Sequence, residues 1–199
     1  MFTGILKEHD LPEEKRRQFL ETMEGQIGKL DFLMQSLIKM SRLETGTFVL
    51  KPEEARLSDT IARALSLVWN RAEKKGISVD TECDSQITVR HDSRWTAEAI
   101  GNILDNAVKY TPAGGSIHVQ VRPWQIYTRI DITDTGMGID PEHYNDIFQR
   151  FYRANEAAGE EGVGLGLYLA QEIIRQEMGY ITVKSAKGKG STFSVFLLS

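Results

Sequence analysis

Apolar residues recur at alternating spacings of three and four from Leu20 through Met23, Ile27, Leu30, Met34 and Leu37. That is the seam of a coiled coil or helix bundle. Pro12 suits a first helical position, and Glu13 and Glu14 follow where the helix dipole favours negative charge, so a helix of about 30 residues is predicted to start there. Phe19, Leu33, Ile38 and Met40 widen the stripe, which predicts packing against more than one partner helix. Upstream, Phe2, Ile5 and Leu6 read as the end of another apolar segment, broken by His9-Asp10-Leu11-Pro12. Gly46, after Ser41-Arg42-Leu43-Glu44-Thr45, supplies a helix stop, and the domain boundary is expected there, dividing 1–46 from 47–199.

Beyond the boundary the period shifts between two and 3.6. A short strand is predicted at 48–50, then an amphipathic helix carrying Leu57, Ile61, Leu65, Val68 and Ala72, with Gly76 as its punctuation. Strands are expected near 77–83 and 87–91, a helix at Ser93–Tyr110, a strand hairpin near 116–121 and 127–133, and a short helix after Pro141. A glycine-bearing loop near 154–163 leads into a helix starting near Gly164, and two strands, Tyr180–Ser185 and 192–198, close the chain around the turn 186–190. Hairpins among interspersed helices imply a mixed sheet with helices on one face. The expected fold is a two-layer α/β (α+β) sandwich preceded by a long bundle-forming helix.

Composition narrows the functions. With 199 residues, 41% apolar and 26% charged, the chain can bury a core and is not a disordered polymer. Its 24 Lys and Arg against 28 Asp and Glu leave a charge of −4, which creates no field to gather polyanions, so no nucleic-acid partner is expected. Cys83 is the only cysteine, too few for an internal disulfide or a thiolate zinc cage. No apolar run approaches the roughly 20 residues of a membrane span, so no membrane segment is expected in this stretch.

Four features look chemical. On the helix Ser93–Tyr110, Ile100, Ile103, Leu104 and Ala107 form one face; Glu98, Asn102, Asn106 and Lys109 line the other. A solvated stripe is the plain reading, but asparagine is a poor helix-interior residue. Two of them one turn apart point to amides wanted for their oxygens and donors, suited to a hard cation such as magnesium, with Lys109 suited to phosphate. Asp134-Thr135-Gly136-Met137-Gly138 follows an apolar strand. It reads either as a simple turn or as a carboxylate for an exocyclic amine with glycines that admit a flat ligand. Gly162-Val163-Gly164-Leu165-Gly166, before a helix, is a flexible loop or an anion site. Between them, Phe148-Gln149-Arg150-Phe151-Tyr152-Arg153 combines aromatics with two arginines.

In this order the features resemble the histidine protein kinases of two-component systems, within the wider family of gyrase, heat-shock protein 90 and MutL ATPases. The resemblance covers nearly the whole chain: Asn102 to Pro112 looks like the N box, Asp134 to Gly138 and Gly162 to Leu167 the two glycine boxes, and Phe148 to Arg153 the F box. Gly190-Ser191-Thr192-Phe193 is similar to the family's closing strand, and the heptad helix resembles the second helix of the dimerisation and phosphotransfer domain. The resemblance implies ATP and Mg2+ as cofactors, with Asn106 the metal ligand and Lys109 and Arg153 on the phosphates. It implies Asp134 on the adenine amine, with Gly136 and Gly138 beside it. Gly162, Val163, Gly164, Leu165 and Gly166 are expected in a lid, and Tyr110 and Thr192 against nucleotide. Asn102 stands where the water-activating ATPases carry a glutamate base, which favours transfer over hydrolysis; Glu98 is the weaker candidate on that face. A response regulator is the implied partner, a homodimer through the helical hairpin the implied parent, and the cytoplasmic part of a membrane-bound bacterial sensor the implied setting. The phosphoacceptor is expected upstream of Met1: His9 meets Pro12 too early, and His91, His118 and His143 lack the motif. A hydrolytic ATPase and a non-catalytic docking module are the competing functions.

Overall fold

The heptad helix and the alternating segments fall into separate units, Met1–Thr47 and Phe48–Ser199, in the computed structural model, which describes residues 12–45, 47, 49–153 and 163–199. The first unit contains α1 (Glu13–Glu44). Pro12 is its N-cap, with φ −51°, rather than its first helical residue. Gly46, the expected stop, lies outside the described residues. The cap that is seen is Thr45, whose N–H and hydroxyl both donate to the Ser41 carbonyl at 3.0 and 2.8 Å. Along the seam Leu20, Ile27, Leu30 and Met34 are exposed.

The second unit runs β1 (Glu53–Arg56), α2 (Leu57–Lys74), β2 (Ser78–Glu82), β3 (Thr88–His91), α3 (Ser93–Tyr110), β4 (Ser116–Trp124) and β5 (Tyr127–Asp134). Two 3-10 turns, Pro141–His143 and Asp146–Phe148, precede α4 (Gly166–Gln176), β6 (Tyr180–Ser185) and β7 (Ser191–Leu198). The large sheet has the order β2-β4-β5-β7-β6, parallel only between β2 and β4. Directly paired residues share a face, so register assembles the core: Val119, Ile132, Phe193 and Val183 form one row, Val121, Ile130, Val195 and Ile181 the next. Helices α2, α3 and α4 cover that face, with α3 packed against both of the others. Ile100, Ile103 and Leu104 of α3 are wholly buried, each stabilising the layer by about 2 kcal/mol. The helix is therefore pinned by its apolar side, and its polar side is aimed by default.

Three local expectations change. The strand expected at 48–50 lies instead at Glu53–Arg56, because strand pairing needs a ladder and the only one offered is β3, antiparallel with Ala55 opposite Val89. Val49 is exposed. The short helix after Pro141 is a pair of 3-10 turns, held where the Tyr144 hydroxyl donates to the Ser185 carbonyl and accepts from the Ser185 N–H. The glycine-led helix begins at Gly166, two residues late.

The entry to α3 is more heavily built than its sequence announces. Asp92 caps it, accepting from Arg94 and Trp95 N–H at 3.1 and 3.2 Å, while its other oxygen accepts from Lys51 N–H. Glu177, just past α4, accepts from Asp92 N–H at 2.7 Å and from the Thr96 hydroxyl at 2.6 Å, tying the two helices together. Burial pushes the Glu177 carboxyl above its ordinary value, with Thr96 and Asp92 N–H pulling it back. No helix among the described residues is long and apolar enough to cross a membrane.

Candidate functional site

Asp134 has the core-facing parity of Ile130 and Ile132, yet it is the last residue of β5, where the helical layer gives way to a cleft. It is 6% exposed. Its Oδ1 accepts from Gly136 N–H at 2.8 Å and from Ser191 N–H at 3.2 Å, and among the described residues no cation pairs with it and Oδ2 carries no hydrogen bond. Burial drives its carboxyl above the ordinary carboxylate range, and the two backbone donors pull it back. A buried acceptor with spare capacity is a place for a ligand's donor.

The glycines around it are spaces by necessity. A Cβ on Gly136 would stand 2.7 Å from both Asp134 Oδ1 and the Tyr110 carbonyl oxygen; Gly138, at φ +71°, would drive one into the Ala186 carbonyl. The loop between is laced on both sides: Met137 N–H donates to the Tyr110 carbonyl at 3.3 Å and Gly188 N–H to the Met137 carbonyl at 2.6 Å. The end of α3, the Asp-Gly turn and the turn 186–190 thus form one wall.

Glu98, Asn102, Asn106 and Lys109 are all half-buried, which is not the environment of a solvated stripe. The Nδ2 of Asn102 is buried with no partner, and Gly166 stands against the same side chain, where a Cβ would lie 3.6 Å from Oδ1. Asn106 makes no hydrogen bond among the described residues. Lys109 Nζ donates to the Tyr110 hydroxyl at 2.9 Å and sits over its ring at 4.6 Å. Among the described residues no side chain caps the first turn of α4, where N–H groups and the dipole suit an anion. Leu165 is sunk in the core at 1% exposure and can offer only backbone there, while Val163 and Gly164 are half-buried. Gly164 accepts from Phe151 N–H at 2.9 Å, which joins the glycine segment to the aromatic-arginine segment. Arg153 is exposed at the end of that segment; Gly162 lies outside the described residues.

Thr192 lines the same pocket as Asp134, Gly190 and Ser191, and its hydroxyl pairs with that of Thr133 at 3.0 Å. Ser191 takes the inward position and supplies the N–H to Asp134. The signal was present in the strand: if Phe193, Val195 and Leu197 face in, so does Ser191. The described histidines stand apart from the wall. His91 is fully buried between the Thr60 hydroxyl (2.7 Å) and the Val89 carbonyl (2.8 Å), His118 pairs with Asp80 at 3.0 Å, and His143 lies 3.5 Å from Glu142.

The residues present suit a purine nucleotide with a hard cation. There is a desolvated carboxylate for an amine, a cradle that only glycine leaves open, an amide oxygen at Asn106, and an uncapped helix start for phosphate.

Known proteins share this fold. Residues 91–199 match the family described as histidine kinase-, DNA gyrase B-, and HSP90-like ATPase. The adaptive-response sensory kinase SasA of Synechococcus sp. (strain JA-2-3B'a(2-13)) is 30% identical over 190 residues, covering 94% of this chain and 50% of its own length. Full-length ShkA, crystallised with AMPPNP, superposes with a TM-score of 0.77 at 22% identity, covering 98% of this chain and 41% of its own. Histidine kinase ThkA in complex with the response regulator TrrA does so at 0.79 and 20%, covering 99% and 55%. The chain spans half or less of the length of the curated relatives it matches. Since that family model matches more than half of its residues, the chain belongs to the histidine kinase-, DNA gyrase B- and HSP90-like ATPase family.

Proposed function

We propose that the chain is the kinase core of a sensor histidine kinase, which transfers the γ-phosphoryl group of ATP to a histidine for relay to a response-regulator aspartate. The observation that carries this reading is Asp134, buried, matched only by neutral backbone donors, with an oxygen left over for the adenine amine. Gly136 and Gly138 let the base approach the backbone, and Tyr110 closes the same wall. Asn106 would hold magnesium through its amide oxygen, and Lys109 and Arg153 would meet the phosphates beside the N-terminus of α4, from Gly162 through Val163, Gly164 and Leu165 to Gly166. Bound there, magnesium supplies charge neutralisation on the phosphates. Asn102 cannot take a proton from water, so it orients rather than deprotonates, which suits transfer to an imidazole through alignment. Ser191 and Thr192 line the same pocket as Asp134, and both would stand beside the nucleotide.

The names of similar proteins support this reading: several are sensor histidine kinases, ShkA was crystallised with AMPPNP, and the kinase ThkA was held with a response regulator. The same reading places α1 in a homodimer through its apolar seam, the phosphoacceptor on a preceding helix, and the whole in the cytoplasmic part of a membrane-bound sensor. Supplying a separately expressed phosphotransfer domain and radiolabelled ATP tests it. Acid-labile label on that domain's histidine is expected; inorganic phosphate without label would mark a hydrolytic ATPase, and nucleotide binding with neither would mark a docking module.

A further inference from the structure

This inference rests on the nucleotide reading above and concerns how the amide helix is aimed. Helix α3 ends at Tyr110, so the carbonyls of its last turn lack partners within the helix. They are met from outside. Lys75, the C-cap residue of α2, is half-buried, and its Nζ donates to the carbonyls of Val108 at 3.0 Å, Lys109 at 2.7 Å and Thr111 at 3.1 Å. Those three bonds use every proton of the ammonium and set a positive charge at the negative end of the α3 dipole. The remaining two carbonyls are also taken, Ala107 by Thr111 N–H at 3.0 Å and Tyr110 by Met137 N–H at 3.3 Å. Lys75 is itself anchored, since its carbonyl accepts from Gly114 N–H at 3.1 Å in the loop that follows α3.

We infer that Lys75 is a positioning residue for the triphosphate end of the cleft. By gripping the backbone of Val108, Lys109 and Thr111 it fixes the rotation of the turn that carries Asn106 and Lys109, and it keeps the Tyr110 carbonyl in register with the loop after Asp134. Losing the ammonium turns three carbonyls toward water and lets that turn fray. The base-holding carboxylate on β5 has its own supports in Gly136 and Ser191. The phosphate and metal contacts therefore suffer more than the adenine contact.

Affinities for Mg-ATP and for AMP, measured by titration on the chain and on Lys75→Met, separate this role from plain stabilisation. The expected result is that the ratio of ATP to AMP affinity falls about tenfold in Lys75→Met, the scale of a lost charge-assisted hydrogen-bond set, and is largely recovered in Lys75→Arg. Val68→Ala, a core truncation in the same helix, is expected to lower thermal stability and leave the ratio unchanged. A folded Lys75→Met whose ratio stays within about twofold of the parent overturns the inference. Should that variant fail to fold, Lys75→Gln is read by the same criterion. A parent chain that binds neither nucleotide overturns the nucleotide reading itself, and this inference with it.

Discussion

Two aspartates on β5, three residues apart and both nearly buried, have opposite chemistry. Asp131 faces away from the helices, accepts from Arg129 Nε at 2.7 Å and from the Ser194 hydroxyl at 2.5 Å, and has Arg122 at 3.3 Å. Arg129 is itself held over the rings of Trp124 and Phe196. That carboxylate is saturated with opposite charge and has nothing left to offer. Asp134 has the same exposure, no cation, two neutral donors on one oxygen and an unused second oxygen. A buried charge that is fully paired belongs to the fold; one left partly unmet at the lip of a cleft belongs to a ligand.

The contrast can be broken most directly at its functional half. Asp134→Asn, whose amide oxygen can keep the bonds from Gly136 and Ser191 N–H, is expected to lower adenine-nucleotide affinity about 100-fold with little change in melting temperature, because the second oxygen is replaced by a donor that faces the ligand's amine. Calorimetric titration alongside a thermal melt checks both parts. In the parent, affinity should also fall as pH is lowered through the raised value of Asp134, at a higher pH than an ordinary carboxylate would give, since a proton on the unbonded Oδ2 turns the amine's acceptor into a donor. Asp131→Ala should do the reverse. It strands two arginines, one of them half exposed, so the loss is about 2 kcal/mol in a denaturant melt, with nucleotide affinity intact. Asn106→Asp puts a second charge beside the phosphates and should shift the magnesium dependence of ATP binding by about tenfold, read by titration at several magnesium concentrations.

Smaller effects sharpen the comparison. Glu177 is a half-buried carboxylate, raised like Asp134 but matched by the Thr96 hydroxyl and Asp92 N–H. A raised value means the folded state holds the proton more tightly. Its stabilising contribution is therefore present below the unfolded value and lost as pH rises through the folded one. The melting temperature of the parent relative to Glu177→Gln should accordingly climb as pH falls from neutrality toward the ordinary value of 4.5 and then level off. A difference independent of pH would refute that assignment. Thr192→Val, whose lost hydroxyl is already paired with that of Thr133, should change nucleotide affinity less than about twofold, whereas Ser191→Pro, which deletes the N–H given to Asp134, should weaken it.

Much of this was legible in the chain. The helices α2, α3 and α4 and most strands follow from local periodicity, because burial of one face imposes period 3.6 or 2 on the residues themselves. The amide helix, the Asp-Gly turn and the glycines before α4 were recognisable from residue type and order. Ser191 is legible by parity, since it shares the inward face of Phe193 and Val195. Lys75 and Glu177 carried no signal. Each acts on groups brought close by folding, such as the Thr111 carbonyl 36 positions away and the Thr96 hydroxyl 81 away, and nothing in the flanking residues marks that use.

Residue order alone determined which segments are helix or strand, and which short stretches hold acceptors, glycines and amides fit for a nucleotide. Tertiary structure decided strand order, with β7 inserted between β5 and β6, and so decided which aspartate was neutralised. Asp131 found Ser194 and two arginines on one face, while Asp134 found only N–H groups on the other. The physical reason is range. Periodicity is enforced by each segment's own burial, but the charge state and spare capacity of a buried carboxylate are set by whatever distant side chains the sheet lays beside it.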